Sequence, residues 1–394
     1  MNPSGLTQSP RDDLVAWLRL ALQPGVSPRV QSQLLAAFGN ASGVLAAPQR
    51  AVADIAGIEV AEALAKGPDP RLLEATLRWG EAPANHLLTR ADDSYPRLLR
   101  EITDAPAVLY ATGRIDLLNV PTVAIVGSRN ATPQGRRDAL EFATLLSRQG
   151  LCIASGLALG IDAAAHRGGL DGRGSSVAVT GTGADIVYPP RNRELASEIA
   201  QRGCVVTEFP LGIGPIAGNF PRRNRLISGL SRGVIVVEAA QRSGSLITAY
   251  FAANQDREVF AIPGSIHSTL SKGCHRLIKE GAKLVETADD VLAELGMAMQ
   301  PVEPMAPASD ADPLLDELGF APFSLDQIAQ RTGAQVGALS AQLSCSRSRA
   351  ASRPCPVAGS SASGRARETA FQRRAREALG ARYRMNQRLT QQDQ

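Results

Sequence analysis

The chain has 394 residues, of which 44% are hydrophobic and 20% are charged. This length predicts two or three domains with a sizeable core. No apolar run approaches the ~20 residues of a membrane span, and the polar first ten residues lack the apolar centre of a signal peptide, so we expect a cytoplasmic protein without membrane contact.

The cysteines argue against a metal site. They lie at positions 152, 204, 274, 345 and 355, without the spacing of metal ligands. Cys152 and Cys204 fall inside apolar runs, which predicts buried thiols. We therefore expect no metal site at these cysteines, and we expect no other cofactor.

The net charge of +4 conceals an uneven distribution. Residues 344–394 carry 11 arginines and 3 acidic residues, a surplus of 8, whereas the remainder of the chain has a net charge of −4. Overall charge is therefore no argument for nucleic-acid binding. Any such argument depends on local clusters.

Residues 1–82 are predicted to form a small helical domain. Apolar residues recur at helical spacing over 14–20, 30–38 and 72–77, and Gly39 and Gly57 are plausible helix stops. The segment resembles a helix-hairpin-helix or SAM-like bundle. Its few basic residues favour a partner-binding or spacer role over DNA contact. Residues 83–118 are interpreted as a connecting segment.

From Thr122 the pattern changes to apolar runs that alternate with helical segments, such as 134–149 and 245–255, which predicts a doubly wound parallel sheet in a core spanning 83–297. The predicted strands are Val123–Val126, Cys152–Ala154, Ser176–Thr180, Val205–Glu208, Val234–Glu238, Val259–Ile262 and Leu284–Glu286. Ligands of such sheets bind beyond the carboxyl ends of the strands.

Two segments after strands are rich in glycine. The first strand is followed by Gly127-Ser128-Arg129, in which Arg129 can project towards a phosphate. In the segment after the second strand, glycines at 156 and 160 permit a tight turn. Asp162 and His166 then stand at i,i+4, and we interpret them as a structural pair, since no nucleophile adjoins them.

The segment 219–229 concentrates the basic charge of the core. Arg222, Arg223 and Arg225 follow Phe220 at a predicted helix N-terminus, which favours anions. Guanidinium groups suit phosphate, and an adjacent phenylalanine can stack on an exposed base. The alternative is a solvated basic turn that pairs with local carboxylates.

Two further helix starts carry polar residues. The run 243–248 begins with Ser-Gly-Ser and offers hydroxyl and N–H groups to an anion, and Lys272 stands at the start of another helix. Neither run matches a Walker loop or a dinucleotide fingerprint.

Several motifs occur together and in order: Val-Gly-Ser-Arg129, Ser155-Gly-x-Ala-x-Gly-Ile-Asp162, Tyr188-Pro-x-x-Asn192, Phe220-Pro-x-Arg-Asn-Arg225, Ser243-Gly-Ser-Leu-Ile-Thr-Ala249 and Pro263-Gly264. This ordered set resembles the DNA-processing protein DprA (Smf) family over about residues 85–290. The resemblance implies an extended Rossmann-like core that forms a homodimer and binds single-stranded DNA. It also implies help in loading RecA recombinase during natural transformation, and protection of incoming strands.

The resemblance also implies a DNA site and no catalytic residues. The expected DNA-binding residues are Gly127, Ser128, Arg129, Gly156, Asn219, Phe220, Arg222, Arg223, Asn224, Arg225, Ser243, Gly244, Ser245 and Lys272. Relatives often have His or Lys where this chain has Asn219, a departure that weakens one expected phosphate contact.

Two other function classes remain open on the sequence alone. Rossmann-like phosphoribohydrolases carry a Pro-Gly-Gly-x-Gly-Thr-x-x-Glu loop, but the run 243–248 has no following carboxylate, which disfavours hydrolysis. A nucleotide-binding regulatory protein would have the same phosphate-binding loops. Titration with oligo-dT and with AMP separates the three possibilities.

The C-terminal part is interpreted as a linker (298–312), an incomplete winged-helix-like segment (313–343) and a basic, disordered tail (344–394). The abrupt change to Arg, Ala, Ser and Pro at Ser344 suggests a frameshift near Leu343 that replaced the wing. The alternative is a divergent tail that adds non-specific electrostatic affinity. Translation of the gene in its other frames distinguishes the two, because a frameshift requires a wing-like segment there.

Overall fold

The computed structural model describes residues 10–298 and the single residue Gln330. Apart from that residue, the predicted winged-helix-like segment and tail lie outside the described residues, as do Cys345 and Cys355. Within 10–298, no helix combines the length and the apolar character that a membrane crossing needs.

Six helices form the first part of the described chain. They are α1 (Pro10–Ala21), α2 (Pro28–Phe38), α3 (Ala41–Ala46), α4 (Gln49–Ala56), α5 (Ile58–Lys66) and α6 (Pro70–Gly80). Ser27 and Asp69 cap α2 and α6 by accepting bonds from backbone N–H groups. The helices share one apolar cluster, which includes Leu18, Leu34 and Val108.

The segment interpreted as a connector contains two strands. These are β1 (Asn85–Thr89) and β2 (Val108–Gly113), which pair antiparallel at one edge of the sheet, and the one-turn helix α7 (Arg97–Arg100) lies between them. Strand β2 also pairs antiparallel with residues 204–207, about a hundred positions later in the chain. Because that pairing is a tertiary contact, local sequence pattern did not predict it.

The remaining elements alternate as the sequence predicts. The strands are β3 (Thr122–Val126), β4 (Cys152–Ser155), β5 (Ser176–Val179), β6 (Cys204–Thr207), β7 (Gly233–Val236), β8 (Glu258–Ala261) and β9 (Lys283–Leu284). The helices are α8 (Pro133–Arg148), α9 (Ile161–Leu170), α10 (Arg193–Arg202), α11 (Asn219–Gly229), α12 (Gly244–Asn254), α13 (Lys272–Lys279) and α14 (Ala288–Glu294).

The sheet has nine strands in the order β1-β2-β6-β5-β4-β3-β7-β8-β9, and the seven from β6 to β9 are parallel. The predicted doubly wound sheet is confirmed. Its two faces bury separate apolar clusters: Val123 and Ile125 of β3 belong to one, and Ala124 and Val126 belong to the other. Cys152 and Cys204 are buried, as predicted.

Candidate nucleic-acid interface

Two loops meet at the carboxyl edge of the sheet, after β3 and β4. Gly160 has φ +80°, and a Cβ there would lie 2.3 Å from the carbonyl oxygen of Ser128. A Cβ on Gly127 would lie 2.6 Å from a side-chain carbon of Ile161. Glycine is required at Gly160 because the backbone of the other loop lies so close, and at Gly127 because the Ile161 side chain leaves no room for a Cβ. The loop that carries Arg129 is thereby fixed against the start of α9.

Arg129 and Phe220 are brought together across this edge. The exposed guanidinium of Arg129 lies with its Cζ 5.7 Å from the centroid of the half-buried Phe220 ring. Gly181 lies beneath Phe220, since a Cβ there would be 3.0 Å from the ring. A cation therefore lies over an aromatic ring, and the pair offers a charge to a phosphate and an apolar surface to its neighbouring base.

Tyr188 is part of this group, although it is absent from the site that the sequence predicts. Tyr188 is 40% exposed. The centroid of its ring lies 5.6 Å from that of the Phe220 ring, with 42° between the ring planes. Its place in the Tyr-Pro-x-x-Asn motif is the feature of the sequence that could have indicated a role in the site. The contact with Phe220 joins residues 32 positions apart, and it becomes visible only in the folded structure.

Arg223 lies beneath the site rather than on it. Its Nη1 donates to the carbonyl oxygens of Gly156, at 2.6 Å, and of Val179. A Cβ on Gly156 would lie 2.7 Å from an Arg223 Nη atom, so the glycine makes room for the guanidinium. Burial lowers the pKa of Arg223 to about 10, and the Asp162 carboxylate opposes that shift. The structure thus assigns Arg223 to internal hydrogen bonds, whereas the sequence suggested a phosphate contact.

Arg225 is also internal, in a cluster with two carboxylates. Its Nη2 lies 2.5 Å from Glu208 Oε2, its Nε lies 3.1 Å from Asp104 Oδ2, and the Arg225 and Glu208 side chains are only 4% and 2% exposed. The predicted phosphate contact is replaced by this ion-pair cluster. The cause is that Glu208, which follows the Cys204–Thr207 strand, lies against α11 and pairs with Arg225.

Arg222 keeps an outward position. Its side chain is 45% exposed, its Nε lies 3.0 Å from Glu208 Oε1, and its Cζ lies 5.1 Å from the centroid of the Phe209 ring. Of the three arginines of α11, Arg222 is the one whose guanidinium reaches solvent. Its pairing with Glu208 partly matches the alternative in which the basic segment pairs with local carboxylates.

Four buried side chains hold the turn after β4. Asp162 Oδ2 accepts from the N–H groups of Gly156 and Ala158, at 3.1 and 3.3 Å. His166 Nε2 accepts from the N–H of Leu157 at 3.2 Å, and its Nδ1 lies 2.7 Å from the Ser176 hydroxyl. The other two side chains donate to carbonyl oxygens. Asn192 donates to those of Leu157 and Ala158, and Arg223 donates to that of Gly156. Asp162 and His166 are structural, as predicted, but each binds this turn instead of the other.

The start of α12 is joined to α11. Asn224 Nδ2 donates to the carbonyl oxygen of Gly244 at 3.4 Å, and Ser243 Oγ accepts from the N–H of Ser245 at 3.3 Å. Gly244 is exposed, with space around its Cα. These three residues therefore lie beside the helix that carries Phe220.

Asn219 and Lys272 take up other positions. Asn219 is the first residue of α11, and its Nδ2 is enclosed without a hydrogen-bond partner among the described residues. Lys272 starts α13, and its ammonium donates to the carbonyl oxygen of Ile266. Lys272 thus binds its own loop, and this contact does not join it to Arg129 or Phe220.

The comparison with known proteins decides the family. A family model described as DNA recombination-mediator protein A matches residues 86–296, and a model described as the DprA winged helix domain matches residues 298–344. The chain belongs to the DprA (Smf) family. The first match begins within β1 and extends past β9, and it includes all the residues of the candidate site.

Individual relatives agree with this assignment to the DprA family. Protein Smf of Escherichia coli K12 is 41% identical over 283 residues, covering 69% of this chain and 76% of the relative. DNA processing protein DprA of Streptococcus pneumoniae is 51% identical over 203 residues, covering 52% and 72%. The X-ray structure of DprA from Streptococcus pneumoniae has a TM-score of 0.64 at 40% identity and covers 73% of this chain and 99% of that chain. The resemblance stated from the motifs is confirmed.

Proposed function

We propose that this chain is a DNA-processing protein of recombination and natural transformation that binds single-stranded DNA at the carboxyl edge of its sheet. The contact between Arg129 and Phe220 is the observation that supports this site most strongly. A guanidinium can neutralise a backbone phosphate, and a neighbouring ring can stack on a base of any identity. Single strands leave their bases free for this stacking, whereas duplex bases are already paired.

The proposed path of the strand follows the exposed groups. Arg129 and Arg222 offer guanidinium groups, Phe220 and Tyr188 offer rings, and the start of α12 at Ser243 offers N–H groups. The buried Arg223 and Arg225 support the path from beneath. The proposal therefore separates residues that bind DNA from residues that position α11.

The partners follow from membership of the family. We propose that the chain acts as a homodimer, helps to load RecA on single strands and protects those strands from nucleases, as the family resemblance implies. The proposal includes no catalytic step. The glutamate-bearing loop of the related hydrolases has no counterpart in the run 243–248.

The test is a set of titrations of labelled ligands at low salt with the full chain. We expect oligo-dT to bind more tightly than matched duplex DNA, and we expect AMP not to compete with it. Arg129→Ala should weaken oligo-dT binding and lower the slope of log affinity against log salt by ~0.7, the value for one phosphate contact.

The matched control is Arg50→Ala, which removes the same charge from an exposed position on α4. It should leave affinity and salt slope close to those of the parent. Parent-like oligo-dT binding by Arg129→Ala would contradict the site, and equal affinity for single strands and duplex would indicate a generic basic surface. Tight AMP binding would instead favour a nucleotide-binding regulator.

A further inference from the structure

The strand order of the sheet reverses direction at a point where, in dinucleotide-binding folds, a crevice holds the nucleotide. From β5 to β9 the spatial order is β5-β4-β3-β7-β8-β9, so the chain connections diverge between β3 and β7. This is the strand order of dinucleotide-binding sheets. In those sheets the pyrophosphate lies at the divergence point, against the N-terminus of the helix after the first strand. The corresponding helix here is α8, and Thr132 is its N-cap residue.

The start of α8 is already occupied by a carboxylate of the protein. Glu238 follows β7 by two residues, and its Oε2 accepts from the backbone N–H of Thr132 at 2.9 Å. Its Oε1 accepts from the Thr132 hydroxyl at 2.6 Å. The Thr132 hydroxyl in turn accepts from the N–H of Gly135 at 3.0 Å. Two oxygens of one anion thus engage the N-cap residue of α8, which is how a phosphate would engage it.

The surrounding residues are shaped to this carboxylate. A Cβ on Gly135 would lie 2.4 Å from the Glu238 carboxyl carbon and 2.7 Å from both of its oxygens, so only glycine leaves room at this position of α8. Asp138, one turn further along, adds a second acidic group. Burial raises the pKa of Asp138, and the Glu238 charge acts in the same direction.

We propose that Glu238 is a built-in substitute for a nucleotide pyrophosphate, and that it excludes nucleotides and dinucleotides from the crevice. A phosphate that entered would have to displace Glu238 from Thr132, against the charge of the carboxylate. Glu238 is thereby a specificity-determining residue, which leaves the edge around Arg129 and Phe220 for a polynucleotide. This role rests on the proposed function, because it explains why a fold suited to nucleotides would select DNA.

The test is thermal unfolding of the full chain with increasing inorganic pyrophosphate. Glu238→Ala should have a lower Tm than the parent because α8 loses the anion at its N-terminus. Added pyrophosphate should raise the Tm of Glu238→Ala with the logarithm of its concentration, as expected for a ligand of the folded state. The parent should show no such rise. A purely structural capping role would lower the Tm of the variant without creating a response to pyrophosphate.

Two variants serve as controls. Glu194→Ala removes an exposed carboxylate from the first turn of another helix, α10, and should gain no response. Glu238→Gln keeps the shape of the side chain but removes its charge, so added pyrophosphate should raise its Tm more than that of the parent. This variant provides the test if Glu238→Ala does not fold. The inference is overturned if the parent responds as strongly as the variants, or if folded Glu238→Ala and Glu238→Gln do not respond. Binding of oligo-dT, measured separately in the parent, reports on the proposed function alone.

Discussion

At the residue scale, the arginines of α11 divide into two kinds. Arg222 is half-exposed, whereas Arg225 is enclosed with Glu208 and Asp104. The sequence shows three cations in a row but not their partners, since Glu208 and Asp104 come from segments 17 and 121 positions away. Their burial therefore could not be predicted from the motif.

Arg225→Ala should act on stability rather than on a DNA phosphate. Removal of the guanidinium leaves the buried Glu208 carboxylate without its closest partner, which should lower the free energy of unfolding by about 3–5 kcal/mol. Urea unfolding measures the loss. Arg222→Ala is the matched control, and it should cost about 1 kcal/mol or less because the Arg222 guanidinium reaches solvent and Glu208 keeps its shorter pairing with Arg225. If Arg225→Ala is as stable as the parent, the ion-pair cluster does not contribute to stability as proposed.

The aromatic pair gives a second prediction at this scale. Phe220→Ala should weaken oligo-dT binding by ~1–3 kcal/mol, the cost of one lost base stack. Phe220→Leu should weaken it by nearly as much, because leucine restores apolar volume but not a flat ring. Tyr188→Ala should also weaken binding because the Phe220 ring loses its neighbour. Fluorescence anisotropy measures all three affinities, and parent-like values for both Phe220 variants would remove the ring from the site.

At the element scale, the turn after β4 depends on a buried neutral histidine. Burial, assisted by the charge of Arg223, lowers the pKa of His166 to about 3, compared with 6.5 for an unperturbed histidine. Between these values the unfolded chain binds a proton that the folded protein does not. The free energy of unfolding must therefore fall as the pH drops below about 6.5, by up to ~1.4 kcal/mol per pH unit.

Asp162 acts in the opposite direction, because burial raises its pKa despite the charge of Arg223. Comparison with His166→Gln isolates the histidine, since glutamine does not titrate and retains an oxygen that can accept from Leu157. Urea unfolding at pH 7 and pH 5 should show that the parent loses about 2 kcal/mol more than the variant over this interval. Identical losses would show that His166 is protonated in the folded state or is not buried.

The elements themselves were predictable to the extent that their pattern is local. Each parallel strand from β3 to β8 is a short, mainly apolar run bounded by turn residues, and such runs can be recognised in a single sequence. The antiparallel strands β1 and β2 were not predictable in this way, because β2 is fixed by its pairing with β6. Glycines at 156 and 160 indicated a tight turn, but only the fold shows that Gly156 faces the Arg223 side chain and Gly160 the backbone of Ser128.

At the scale of the whole molecule, ordered motifs identified the family where composition could not. The charge surplus lies in residues 344–394, outside the described residues, whereas the proposed site lies within the part whose net charge is not basic. The DprA winged helix match ends at residue 344, where the composition changes. The proposed DNA site is therefore a local group of residues in the core, and the argument for it makes no use of the net charge.

The central claim is that a single strand lies against Phe220 at the carboxyl edge of the sheet. The most direct measurement is photo-crosslinking of the full chain to oligo-dT that carries 5-iododeoxyuridine, followed by identification of the modified peptide. We expect crosslinks at Phe220 or Tyr188, and a marked loss of them in Arg129→Ala but not in Arg50→Ala. Crosslinks confined to residues 10–80 or 344–394, with Phe220 and Tyr188 unmodified, would contradict this claim.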